Sequence, residues 1–446
     1  MPKFTQVIKR TGAVVPFNKE RITNAIYRAA VAVGGRDKET AEILSAKVVE
    51  YLNSTYPDNY IPHIEEIQDA VEKVLIESGH AKVTKEFILY RKERNLKRET
   101  EGKYASTPNE NIPWAKIWHV LDWAVSKKLN TVELLNERIR NAEYPYIVHE
   151  SECAYEDDID CGANMILERA DQLKMVFISG PSSSGKTTTT IKLEKRLLKS
   201  GLKFKALNID NYFFDLAMHP KDEFGDYDFE TPQALDLEMI NEHLVQLTQG
   251  KEVLIPFYDF KTGTRHLEQT KFKIDKNEIL LIDSLHGLYP AMSVDIPKEQ
   301  KFKLYIEPLL QMKNNEGQFI RWTDIRLMRR MLRDSVYRAY NPQQTLEHWH
   351  YVRTSELRHI IPYISTTDFI VNSGMPYELP LYAHRLLKHF ERWTEMFKDN
   401  VLKEDALTRA ERVYNLLKAI EPMPEDWAVP KDSVSREFIG GSVFDY

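Results

Sequence analysis

One stretch of eight residues restricts this chain more than any other. Gly180-Pro181-Ser182-Ser183-Ser184-Gly185-Lys186-Thr187 fits G-x-x-x-x-G-K-[ST], with the apolar run MVFIS before it and the helical pattern of KLEKRLLKSG after it. A loop of this kind wraps phosphate with backbone N–H groups. Gly180 and Gly185 keep side chains out of the way, and Ser182, Ser183, Ser184 and Thr188 contribute to the cradle. Lys186 supplies a mobile charge for the β- and γ-phosphates, and Thr187 offers a hydroxyl to Mg²⁺. The helix that starts here points its positive end at the anion. Strand, loop and helix in this order place the motif in an α/β fold.

The surrounding pattern agrees. From about residue 172, short β runs alternate with helices: KFKALNI second, EVLIPFY a third candidate, EILLID fourth, FKLYIEP fifth and DFIVNS sixth. That alternation predicts a parallel sheet with helices on both faces. Asp283 ends EILLID, where a carboxylate would hold Mg²⁺; taken alone, such an Asp is more often a turn residue. Asp210 ends KFKALNI, at the strand ends that line the ligand crevice of an open sheet, and could take a proton from an attacking alcohol. The aromatic run Tyr212, Phe213, Phe214 suits a pocket wall or a core. Arg326, Arg329, Arg330 and Arg333 share one helix face at i, i+3, i+4, i+7. Asp324 and Asp334 are the only acids inside that segment, so the stripe reads as a cationic lid over a transferring phosphoryl group rather than a neutralised surface.

Composition excludes several classes. Among 446 residues, 61 basic side chains face 67 acidic ones, a balance unlike that of a general nucleic-acid binder. No apolar run reaches the roughly 18 residues of a membrane helix, and MPKFTQVIKR lacks the apolar core of a signal peptide. Two cysteines, Cys153 and Cys161, make neither a disulfide framework nor a four-cysteine zinc site. A cytoplasmic protein with no nucleic-acid or membrane partner is expected. The first hundred residues read as two strands around Thr11-Gly12, a helix capped by Asn18, a second after Asp37, a third ending at Gly79, and a fourth through Phe87 and Ile88. Residues 100–112 are polar and read as a linker. Residues 113–170 read as mostly helical, with Trp114, Trp118 and Trp123 as packing anchors and EDDID at 156–160 as a solvated loop, a metal site being the lesser reading.

From the phosphate loop onward the chain resembles the uridine kinase and phosphoribulokinase group of P-loop kinases, over roughly 172–395. The resemblance rests on GPSSSGKT, LNIDNYF, DYDFETPQALD, IPFYDFKTGTR, LLIDSLHGL, TDIRLMRRMLRD and FIVNSGMPYEL in this order, and the tail SREFIGGS is similar to the end of those proteins. It implies a P-loop NTPase-type α/β domain. It also implies Asp210 as general base, Lys186 and Arg330 in catalysis, and Arg329 and Arg333 on the nucleotide. Glu230 and Arg326 then fall on the acceptor ribose, Phe229, Tyr258 and Phe260 around a nucleobase, and Thr187 and Asp283 on Mg²⁺. Three positions depart from the family: Asp283 stands where a Glu is usual, Glu230 where an Asp is usual, and Gly263 where these kinases place a base-reading His. His266 lies nearby.

Residues 1–98 resemble an ATP-cone, a small α+β regulatory domain of ribonucleotide reductases, through VIKRTGAVVPFNKERI, IEEIQDAVEKVL and FILYRKER. The resemblance implies that Lys9, Arg10, Arg21 and Ile22, with Arg91, bind ATP or dATP. The expected organisation is therefore a cone at 1–98, a linker and helical segment at 99–170, a kinase domain at 171–395 and a helical or irregular extension at 396–446. The expected activity is transfer of the γ-phosphoryl group of ATP or GTP to the 5′-hydroxyl of a nucleoside, uridine or cytidine first, in a homo-oligomer regulated through the cone. Two alternatives stand beside it: a kinase for a sugar phosphate or other metabolite alcohol, and a non-catalytic nucleotide-sensing regulator.

Overall fold

The structure is a computed structural model, and it describes residues 3–8, 14–35, 37–57, 60–91, 111–219, 230–275, 278–337, 341–398, 400 and 403–445. Lys9, Arg10, Phe229, the turn at Thr11-Gly12 and most of the stretch 100–112 lie outside the described residues. The chain divides into two compact units, one built on residues 1–109 and the other on most of the chain beyond.

In the first unit, β1 (Gln6–Ile8) pairs antiparallel with β2 (Val14–Pro16). Helices follow: α1 (Lys19–Ala32), α2 (Lys38–Thr55), α3 (Ile64–Glu77) and α4 (81–91). Each start has a local cause. Asn18 accepts from the Glu20 N–H, Asp37 from the Thr40 N–H, and His63 forms a capping box with Glu66. Ile22, Ile26, Leu44, Val48, Val71 and Leu75 meet in one core.

The second unit is built on a five-stranded, all-parallel sheet. Its strands are β3 (Met175–Ser179), β4 (Lys203–Asn208), β7 (Glu278–Asp283), β8 (Lys301–Glu307) and β9 (Phe369–Asn372), in the spatial order β4-β7-β3-β8-β9. β3 is buried along its whole length, as a central strand covered on both faces must be. The register aligns the strand ends: Ile178 and Asn208 both sit opposite Asp283, and Glu307 sits opposite Asn372. The carboxyl edge of the sheet therefore carries the phosphate loop, Asp210 and Asp283 together.

One expected strand belongs elsewhere. EVLIPFY is part of β5 (Val253–Asp259), which pairs antiparallel with β6 (Thr264–Phe272) as a separate hairpin. An apolar run of this length reads the same in a hairpin and in a buried sheet, and only the partner decides.

The segment before the sheet forms α5 (Trp114–Ser126), α6 (Val132–Arg140) and α7 (Tyr144–Glu168). EDDID is not a loop; it lies inside the 25-residue α7. Tyr155, Ile159 and Ile166 bury one face of this helix, while Asp158 pairs with Lys116, and Glu156 and Asp160 pair with Arg196. The run is an ion-paired helix face, and no group of three or more metal-ligating side chains occurs among the described residues. Trp123 packs against the core, but Trp114 and Trp118 are 53% and 69% exposed, so two of the three expected anchors are surface residues. Further on come α8 (Lys186–Lys199), α9 (Leu237–Thr248), α10 (Trp322–Tyr337), α11 (Pro342–His359), α12 (Glu378–Phe397), α13 (Glu404–Lys418) and the short turn α14 (Arg436–Ile439). Leu135 and Ile159 from before the sheet share one core with Val176 and Leu304 of the sheet and with Val413, Val434 and Ile439 from the end of the chain. Among the described residues no helix is long and apolar enough to cross a membrane.

Candidate active site

The phosphate loop turns on its two glycines. A Cβ at Gly180 would stand 2.5 Å from the Ile306 carbonyl oxygen, and Gly185 holds φ +89°, a conformation few side chains tolerate. Ser183 also has positive φ, at 60°. The Ser183 and Ser184 hydroxyls are buried with no hydrogen-bond partner among the described residues. Lys186 opens α8 and pairs with Asp283 at the end of β7.

Asp210 lies in a short turn that continues β4, held by the Asn208 side chain, which accepts from its N–H. Its side chain is exposed at the carboxyl edge of the sheet. The surrounding protein raises its pKa above the ordinary aspartate value; Lys186 opposes that shift and Asp283 adds to it. Asp210, Lys186 and Asp283 thus form one electrostatic unit. A carboxylate, a mobile ammonium and a second carboxylate around a phosphate loop can hold Mg²⁺ and remove a proton from an alcohol. The donors fit the metal: Thr187 and Asp283 offer hard oxygens, and Mg²⁺ takes its remaining ligands from water and phosphate.

The arginine stripe differs from the sequence expectation. α10 is no exposed lid: Arg326, Arg329 and Arg330 meet carboxylates from other elements, and Asp334 within the helix pairs with Arg330 and Arg333. Arg326 is fully buried, forks onto Glu356, lies 3.6 Å from Glu307 and donates to the Ser182 carbonyl at 3.1 Å. Arg329 is fully buried as well. It pairs with Glu378 and donates to the Ser373 carbonyl at 2.6 Å and the Ser184 carbonyl at 3.3 Å. These two hold the backbone of the phosphate loop from behind. Arg330 is the more open one, with Ser182 Oγ at 3.2 Å and Glu230 at 3.3 Å. Arg333 pairs with Asp334. Nothing in the local sequence signals Glu356, Glu378 or Ser373, because each comes from another element.

On the acceptor side, Tyr258 is buried and packs edge-on to Phe260, 4.9 Å between centroids, and near Phe213 at 5.5 Å; Phe260 itself is exposed. Gly263 has φ +68°, and a Cβ there would meet Leu216 Cβ at 2.8 Å, so the position admits no side chain. His266 does not replace one. It pairs across the hairpin with Phe257, whereas Tyr258 pairs with Arg265, and neighbouring pairs point to opposite faces.

A partner unforeseen from sequence comes from the end of the chain. Glu437, on α14, is buried and accepts from the Thr188 N–H at 3.2 Å and the Thr188 hydroxyl at 2.9 Å. Burial raises its carboxyl pKa, against the two Thr188 bonds.

In the other unit, Arg21 is exposed at the start of α1, while Ile22 belongs to the core and can meet a ligand only through its main chain. Arg91 is taken up by Glu65, Asp69 and Glu72, each at 2.6 Å.

Residues 175–379 match the Phosphoribulokinase / Uridine kinase family, and residues 5–96 match the ATP cone domain. Among curated proteins, the uridine kinase of Chloroflexus aurantiacus is 26% identical over 201 residues, 45% of this chain and 87% of that protein. The uridine kinase of Schizosaccharomyces pombe is 27% identical over 213 residues, 47% of this chain and 42% of that protein. The vitamin B12-dependent ribonucleoside-diphosphate reductase of Thermoplasma acidophilum is 44% identical over 99 residues; these are 21% of this chain and only 12% of that protein.

Proposed function

Residues 175–379 belong to the phosphoribulokinase and uridine kinase family of P-loop kinases and residues 5–96 are an ATP cone domain, and from this we propose that the chain phosphorylates the 5′-hydroxyl of a nucleoside under control of the cone. The observation that carries the reading is the cluster of Asp210, Lys186 and Asp283 at the carboxyl edge of the sheet. Asp210 takes the hydroxyl proton. Lys186 and the backbone of the loop hold the phosphates of the donor, ATP or GTP, and Arg330 stands at the loop to meet charge that develops in transfer. Arg326 and Arg329 act through the loop's main chain. Bound Mg²⁺, held by Thr187 and Asp283, would neutralise charge on the β- and γ-phosphates. Glu230, paired with Arg330, serves the acceptor ribose, and Tyr258 and Phe260 the base. ATP or dATP is the ligand of the cone, bound near Arg21.

A second reading, a kinase for a sugar phosphate or another alcohol, is favoured by Gly263, where the backbone excludes a base-reading side chain. The deciding experiment measures ADP release with Mg-ATP against uridine, cytidine, adenosine, guanosine, inosine, ribose 5-phosphate and ribulose 5-phosphate, with Asp210→Asn beside the wild type. Turnover with a nucleoside that the variant loses supports the first reading. Turnover with a sugar phosphate alone replaces it with the second, and no turnover across the panel, with ATP still bound, leaves an acceptor outside the panel or a nucleotide-binding regulator.

A further inference from the structure

The first N–H groups of an α-helix have no partner within the helix, and in a phosphate loop they are the donors that cradle the α- and β-phosphates. In α8 one of them is already taken. The Glu437 carboxylate accepts from both the N–H and the hydroxyl of Thr188, across 249 positions of sequence. The contact is built rather than incidental. Val434 approaches Gly185 so closely that a Cβ there would lie 2.4 Å from its methyl carbon. Ser435 donates to Glu378 at 2.7 Å, the same carboxylate that holds Arg329 behind the loop, and Phe438 lies under the Arg329 guanidinium, 4.8 Å from its carbon to the ring centre. Glu437 is within electrostatic reach of Lys186 and Arg333. A helix start and two cations are the surroundings of a bound phosphate group, and here a carboxylate oxygen takes that place.

We propose that Glu437 is a determinant of nucleotide affinity, delivered to the loop by the C-terminal segment: its carboxylate holds the Thr188 donor that an α-phosphate oxygen needs, and a nucleotide binds by displacing it. This rests on the reading that the loop binds a nucleoside phosphate. Two anions cannot share one N–H, and their mutual repulsion beside a buried helix end adds to the competition. The segment then does two things at once, bracing the loop through Ser435 and Glu378 and setting how tightly phosphate is held.

Calorimetric titration of the full chain with Mg-ADP, run beside Lys186→Ala, identifies the loop's binding step as the one the lysine variant loses. Glu437→Gln keeps the shape and removes the charge. It is expected to tighten that step about tenfold or more, the scale of one charge-assisted hydrogen bond. A step that is unchanged or weaker in Glu437→Gln overturns the proposal while leaving nucleotide binding intact. If Lys186→Ala loses no step, the nucleotide reading itself fails and this one with it. Hydrogen exchange on the wild-type chain gives an answer even where the variant does not fold. Mg-ADP is expected to speed exchange in residues 427–441; slower or unchanged exchange overturns displacement.

Discussion

In the proposed reaction, Asp210, Lys186 and Asp283 would divide a proton-transfer task among three charges. A general base must be ionised to act, and Asp210 is harder to ionise than a free aspartate because surrounding protein and Asp283 disfavour its charge, with Lys186 opposing them. Its folded pKa is raised, so the reactive form is lost as pH falls through that raised value. The acid limb of the rate profile should therefore lie above the ordinary aspartate range. Asp210→Asn should lower kcat by about 10²–10⁴-fold, leave nucleotide binding in place and abolish that limb in what activity remains. A profile with the same acid limb in the variant assigns the limb to another group. Much of this trio was legible from sequence, since each member closes or follows an apolar run. Glu437 was not: SREFIGGS carries a single acid, and its partner Thr188 lies 249 positions away.

Within α10 the arginines look alike in sequence and differ in the fold. Helical spacing correctly puts 326, 329, 330 and 333 on one face, yet it says nothing of what covers that face. The counter-charges come from residues 230, 307, 356 and 378, with Asp334 serving 330 and 333, and the stripe becomes an internal brace at 326 and 329 with two partly exposed members, 330 and 333. The consequences separate by measurement. Arg326→Ala leaves the buried Glu307 without the arginine beside it and Glu356 with Arg353 alone, and should cost about 3–5 kcal/mol in urea unfolding. Arg330→Ala removes a partly exposed side chain from Glu230 and leaves Asp334 its pair with Arg333, so it should cost about 1 kcal/mol or less yet lower kcat by about 10²–10³-fold if it meets transferring charge. Equal losses of stability in the two variants would mean that burial does not separate their roles. The parallel strands around the loop were readable because buried strands are short apolar runs bounded by turns. The β5–β6 hairpin and the EDDID turns of α7 were not, for the reason that pairing partners and ion pairs are tertiary facts.

At the scale of the molecule, the sequence divides into a cone, a helical segment, a kinase and an extension, whereas the structure has one core for the last three. That difference makes the two ends of the chain unequal. Residues 1–98 contain their own core, around Ile26, Val48 and Leu75, and β3 to β9 pack without them. Deleting 1–98 should leave a folded, cooperatively melting remainder that keeps kinase turnover and loses its response to ATP or dATP; an unchanged response moves regulation away from the cone. Deleting 421–446 removes Val429, Val434, Phe438 and Ile439, all buried. At roughly 1.5–3 kcal/mol for each buried side chain, the loss is about 6–12 kcal/mol, as large as the whole stability of an ordinary domain. The shortened chain should therefore be found unfolded or aggregated by circular dichroism and size-exclusion chromatography. A folded, active product would mean that these residues only cover the core rather than complete it, and the phosphate loop would then owe its shape to Arg326 and Arg329 alone.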